Sequence, residues 1–130
     1  MYRSMTTNLM VESVDESVRF YCDILGFSLV DSVNGKNNAL QFAIIANDNL
    51  TLMFQQRENL AEEYPILDTP QTKPSVSLFI ITDDFDNFYN NLKEKTAILS
   101  DVHTTFYGTK EFAIADNTGY VLTFAEHQEK

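Results

Sequence analysis

The chain has one cysteine, no tryptophan, four glycines and three prolines in 130 residues. Each shortage excludes something. A lone Cys22 cannot close an internal disulfide, which suits a reducing compartment, so a cytoplasmic protein is expected. Four scattered glycines leave no glycine-rich loop to cradle a phosphate. No apolar run approaches the roughly 18 residues of a membrane span. Residues 1–5 hold a single Arg and no apolar block follows, so no secretory signal is expected. Positive charge is also scarce: nine Lys and Arg stand against 19 Asp and Glu, a net charge of −10. The basic residues are dispersed, and only Lys93 and Lys95 lie close together. A nucleic-acid binder needs a positive stripe to displace counterions, so neither nucleic acid nor an anionic membrane is an expected partner. The acidity reads first as a solvated surface that keeps the chain soluble, and it mildly favours a cationic ligand.

What is present is an ordinary globular composition, 44% apolar and 22% charged, with ten Phe and six Tyr. A chain of this size buries about two-thirds of its unfolded surface and needs no staple. The sequence also repeats itself. Residues 41–56 align on 111–126 without a gap, with identities at Phe42/Phe112, Ala43/Ala113, Ile44/Ile114, Asn47/Asn117, Leu52/Leu122 and Phe54/Phe124. In each copy two apolar strands flank a polar turn, Asn47-Asp48-Asn49 or Asp116-Asn117-Thr118-Gly119, which predicts a β-hairpin.

Upstream of each hairpin a strand leads into a helix. Residues 8–11 predict the first strand, Ser13 to Glu16 a helix start, and Val14, Val18, Tyr21 and Leu25 its apolar stripe, stopped by Gly26. In the second half residues 76–81 predict the strand and Thr82-Asp83-Asp84 the helix start. Phe85, Phe88, Tyr89 and Leu92 form its stripe. Further strands are expected over 27–33 and within 98–107. The whole chain, 1–130, then reads as one α+β domain of two tandem βαβββ modules, 6–56 and 75–126. They are joined by a polar connection, 57–74, with a short helix over 59–64 ahead of Pro65.

This duplicated pattern resembles the glyoxalase, bleomycin-resistance and extradiol dioxygenase (vicinal oxygen chelate) superfamily over residues 6–126. The resemblance rests on residues 14–21 leading into Leu25-Gly26-Phe27, on Asp83-Asp84-Phe85-Asp86, and on Tyr107-Gly108, Glu111-Phe112 and Asp116 to Tyr120. It implies a U-shaped mixed sheet wrapped around a small-molecule cavity, and a homodimer. It further implies metal-ligand positions, usually His, Glu or Gln in such enzymes, at Thr6, Met53, Ser77 and Thr123. These are hydroxyls and a thioether, whereas a divalent metal of this type takes three or four His or carboxylate groups. The only histidines, His103 and His127, fall elsewhere. The chain is therefore similar to the metal-free, bleomycin-resistance-like branch, and no metal, cofactor or catalytic residue is expected.

The implied function is binding of a small molecule, aromatic or cationic. Phe42, Met53, Phe54, Ser77 and Thr123 are the candidate cavity residues, of which alternation lets only half face one way. Tyr107 and Glu111 are more pointed candidates: a flat ring with a hydroxyl beside a flexible Gly108, and a carboxylate that can pair with a cation. The alternative is a lyase or isomerase, using a displaced metal or Tyr107 and Glu111 as an acid/base pair. Cys22 reads as a buried structural thiol, and the Asp83-Asp84-Asp86 cluster as helix capping, since it lacks a calcium-loop pattern.

Overall fold

The computed structural model describes residues 1–126; His127 lies outside the described residues. The chain divides into two compact units, the first spanning Met1–Lys73 and the second beginning at Pro74. Each unit holds one βαβββ module.

In the first, β1 (Thr7–Val11) leads into α1 (Val14–Asp23), followed by β2 (Ser28–Asn34), β3 (Leu40–Asn47) and β4 (Leu50–Gln56). The sheet order is β1-β4-β3-β2, with β1 parallel to β4 and the other pairs antiparallel. Helix α1 starts where the sequence predicts: the Ser13 hydroxyl accepts the Glu16 N–H at 3.1 Å, satisfying one orphan donor of the first turn. Gly26, at φ 78°, takes the left-handed conformation that ends the helix cheaply. Asp15 then accepts the Leu40 N–H at 3.0 Å and ties the helix to the start of β3. The buried core beneath α1 comprises Leu9, Val11, Val14, Tyr21, Ala43, Ile45, Leu52 and Phe54.

The second unit repeats the plan with β5 (Ser77–Thr82), α3 (Phe85–Leu92), β6 (Ser100–Thr104), β7 (Lys110–Ala115) and β8 (Val121–Glu126), in the order β5-β8-β7-β6. Its core is aromatic: the Phe112 ring lies 5.0–6.1 Å from those of Phe85, Phe88, Tyr89 and Phe124. The hairpin turn is held by Asp116, whose Oδ1 accepts the N–H groups of Thr118, Gly119 and Tyr120, each at 2.9 Å. Asp84 departs from the expected capping role. It sits at φ 54°, and its carboxylate accepts the Asn87 side-chain amide instead of a helix N–H.

The connection expected over 57–74 is built into the first unit. Helix α2 (Arg57–Glu63) starts directly at the end of β4, two residues earlier than predicted, and Pro65–Leu67 form a 3-10 turn. Glu12, just past β1, clasps this segment. Its carboxylate accepts Arg57 Nε at 2.8 and 3.0 Å, the Thr72 N–H at 3.2 Å and the Thr72 hydroxyl, while Arg57 also donates to the Thr69 carbonyl at 3.0 Å.

The repeat hides a difference in register. Six residues lie between Ile45 and its partner Leu52, but five between Ala115 and its partner Val121. Phe54 and Phe124 both face their helices, yet Phe54 pairs with Ala43 whereas Phe124 pairs with Phe112. A one-residue slip turns every side chain of a strand over. Phe42 therefore leaves the helix-covered face that Phe112, its match in sequence, occupies. The structural counterpart of Phe42 is Glu111.

Candidate ligand-binding site

Each sheet buries one face under its helix and leaves the other open. On the open face of the first sheet stand Asn8 of β1, Met53 and Gln55 of β4, and Phe42 of β3, since these alternate with the buried Leu9, Phe54 and Ala43. This face, the exposed Val33 and helix α2 enclose a groove of about 640 Å³.

The polar side of the groove is one hydrogen-bonded chain. Asn8 Nδ2 donates to Gln55 Oε1 at 2.9 Å; Gln55 Nε2 donates to Asn59 Oδ1 at 2.7 Å and to Glu63 Oε1 at 3.0 Å. Gln55 is only 6% exposed, so its amide is committed to holding α2 against the sheet. The spacing produces this contact: Gln55, Asn59 and Glu63 are four residues apart, and the helix that follows β4 carries Asn59 and Glu63 along one side, facing Gln55. Gln41, Glu62 and Tyr64 complete the lining. Two carboxylates, two rings and several amides meet here, with no basic side chain among the lining residues.

Of the residues singled out from sequence, Phe42 lines this groove and Met53 shares its sheet face. Phe54 does not: it is fully buried on the opposite face, with its ring 5.0 Å from that of Tyr21, because core packing under α1 claims it. Ser77 and Thr123 lie on the open face of the second sheet, with Phe79 and Ile81, which are 54% and 55% exposed. Glu111 shares that face and pairs across the ladder with His103. It is 5% exposed and accepts the Tyr107 hydroxyl at 2.7 Å and the Thr109 hydroxyl at 2.6 Å, so Tyr107 and Glu111 are brought together as a pair. Cys22 is half-buried, and burial, reinforced by the charge of Asp23, raises its thiol pKa, the opposite of an activated nucleophile. Asn59, Glu62, Glu63 and Tyr64 were assigned to a polar connection in sequence. The four-residue spacing from Gln55 is the signal that could place Asn59 and Glu63 at a site.

The resemblance implies four metal-ligand positions. Thr6 directly precedes β1, Met53 lies on β4, Ser77 opens β5 and Thr123 lies on β8. Their donors, three hydroxyls and a thioether, do not fit a site made of His and carboxylate. Among the described residues no group of three His, Cys, Asp or Glu is placed to hold a metal ion.

Two helix-covered mixed sheets, each βαβββ and each leaving a face open, define a class of duplicated α+β proteins. The chain belongs to the Glyoxalase/Bleomycin resistance protein/Dioxygenase superfamily, whose family model matches residues 4–124. No curated protein matches it. Among solved structures it is similar to TioX from Micromonospora sp. ML1, at 13% identity and a TM-score of 0.73, over 98% of this chain and 100% of that one. It is also similar to lactoylglutathione lyase from Agrobacterium tumefaciens, at 16% identity and a TM-score of 0.74, over 95% and 92%. A glyoxalase/bleomycin resistance protein/dioxygenase from Nocardioides gives 15% identity and a TM-score of 0.82, over 99% and 86%. At these identities the likeness is one of fold.

Proposed function

We propose that the protein binds a small organic cation in the groove between the first sheet and α2, without a metal ion. The observation that carries this reading is the lining: Glu62 and Glu63 supply negative charge, Phe42 and Tyr64 supply rings, and no basic side chain opposes them. A cation gains from the carboxylates and from the faces of the rings together, and the net charge of −10 adds a favourable long-range field. Native mass spectrometry on protein purified without a His tag or chelators tests it. A retained organic cation, lost in Glu63→Gln, supports the reading; a stoichiometric divalent metal with no organic mass overturns it.

The same reading takes the protein as a cytoplasmic homodimer. Native mass spectrometry returning two 14.9 kDa chains agrees, and a single chain counts against it.

A second reading, a lyase or isomerase without a metal, is favoured by one observation: the Tyr107 hydroxyl lies 2.7 Å from the buried Glu111 carboxylate. A carboxylate held by two hydroxyls on a largely apolar sheet face is a reasonable proton acceptor. Turnover that disappears in Glu111→Gln while the fold is kept would move the assignment to this class.

A further inference from the structure

We infer that the cation this groove takes is a planar, N–H-rich one, an amidinium or a guanidinium, and that Gln55 sets this preference by fixing Glu63. The inference rests on the cation-binding reading above and narrows it. Its basis is the count of hydrogen-bonding capacity left in the groove. Both amide hydrogens of Gln55 are spent, on Asn59 Oδ1 and on Glu63 Oε1, and its carbonyl accepts from Asn8. Gln55 therefore offers a ligand no donor, only the second lone pair of its carbonyl; its work is to hold its neighbours.

What it holds is acceptor-rich. An ionised carboxylate has about four lone-pair sites. Gln55 occupies one on Glu63, and Glu62 makes no hydrogen bond among the described residues. The donors that remain, side-chain amides and the Tyr64 hydroxyl, are neutral. A ligand that brings several N–H donors and a positive charge in one plane matches this surplus, because a forked donor meets a carboxylate with two charge-assisted bonds. Its flat face can also lie on a ring such as Tyr64, which is half exposed at the end of α2. A quaternary ammonium ion carries the same charge but no N–H group. It is best held by a cage of rings, and this groove has two rings beside its carboxylates.

The arrangement depends on Gln55 because α2 has little else to fix it on this side. The helix is seven residues long and buries one side chain, Leu60. Without the Gln55 fork, Glu63 regains its rotamers, and a ligand must order it at the moment of binding.

The test is a pair of calorimetric titrations of the full chain with benzamidine and with phenyltrimethylammonium, aromatic monocations that differ in having or lacking N–H donors. The expected result is benzamidine bound at least about tenfold more tightly, with Gln55→Met and Glu63→Gln each removing most of that difference and Glu58→Gln, outside the groove, keeping it. Far-UV circular dichroism and a thermal melt confirm that each variant is folded. Equal binding of the two cations overturns the inference while leaving the cation-binding reading in place. A tenfold preference that survives both groove variants also overturns it, by locating the selectivity elsewhere. Binding of neither ion at millimolar concentration removes the cation-binding reading and this inference with it.

Discussion

The two modules have the same order of elements and the same strand pairing, yet their open faces are built from opposite materials. At equivalent places on three adjacent strands, the first sheet carries Asn8, Gln55 and Phe42, and the second carries Phe79, Ala125 and Glu111. Amides occupy the first two positions of one sheet and apolar groups those of the other; at the third position the ring and the carboxylate change places. The helix-covered faces differ less in kind than in degree. Phe112 touches four rings, whereas among the described residues Phe54 has one ring neighbour, Tyr21. A duplicated scaffold thus keeps its buried face under common packing rules and leaves its open face free to diverge.

The largest effect that can break this comparison is in the cores. Phe112→Ala should cost about 3–5 kcal/mol, and Phe54→Ala an amount at the lower end of that range, read by urea denaturation. Equal costs would show that the extra rings around Phe112 add nothing beyond burial. Next come the exchanged open-face positions. Gln55→Leu strands the partners of a buried amide and should cost about 1–3 kcal/mol, whereas its counterpart Ala125→Gln should cost a similar amount for the opposite reason, a buried amide placed where no partner waits. A neutral Gln55→Leu would show that α2 is held by other contacts.

The turns give a smaller contrast. Asp116→Ala releases three N–H groups and should lower stability by about 1–3 kcal/mol, and Asn47→Ala, which loses one bond to the Gly26 carbonyl, by about 0.5–1.5 kcal/mol. Smallest is the response to acid. Glu12 and Asp101 both titrate below their ordinary values of 4.5 and 3.8. Glu12 is lowered first by the Thr72 hydroxyl, with Arg57 assisting against partial burial, and Asp101 by the Tyr89 hydroxyl and then the Val102 N–H. A carboxyl with a depressed folded-state pKa contributes stability above its unfolded value and loses it as pH falls through the folded one. Thermal melts should therefore lose a small increment below pH 4.5 through Glu12 and below 3.8 through Asp101. Thr72→Val should remove the first increment and Tyr89→Phe the second.

Much of this molecule was legible in its sequence because local chemistry decides it. Ser13 caps, Gly26 stops and Asp116 folds its turn through bonds within four residues of themselves. The Tyr107–Glu111 pair was legible for the same reason, being four residues apart across a turn. The groove was harder to read. Its floor is on β1, β3 and β4 and its wall on α2, and the tie between them is Gln55, one of several polar residues in a hairpin that also carries Gln41, Thr51 and Gln56. Treating residues 57–74 as a linker separated that tie from what it holds. Phe42 and Phe54 stand on opposite faces, because identity in a repeat says nothing about the face a residue takes. Only the pairing across the hairpin decides that.

The hairpin turns also bear on how such a chain can change over generations. Between the two copies the count of residues around the turn differs by one, and that one residue exchanges the inner and outer sides of β3 relative to β7. A single codon gained or lost in a loop can therefore present a new set of side chains to a ligand without a substitution inside any strand. Duplication then matters doubly, since one copy can be re-addressed in this way while the other continues to hold its older face.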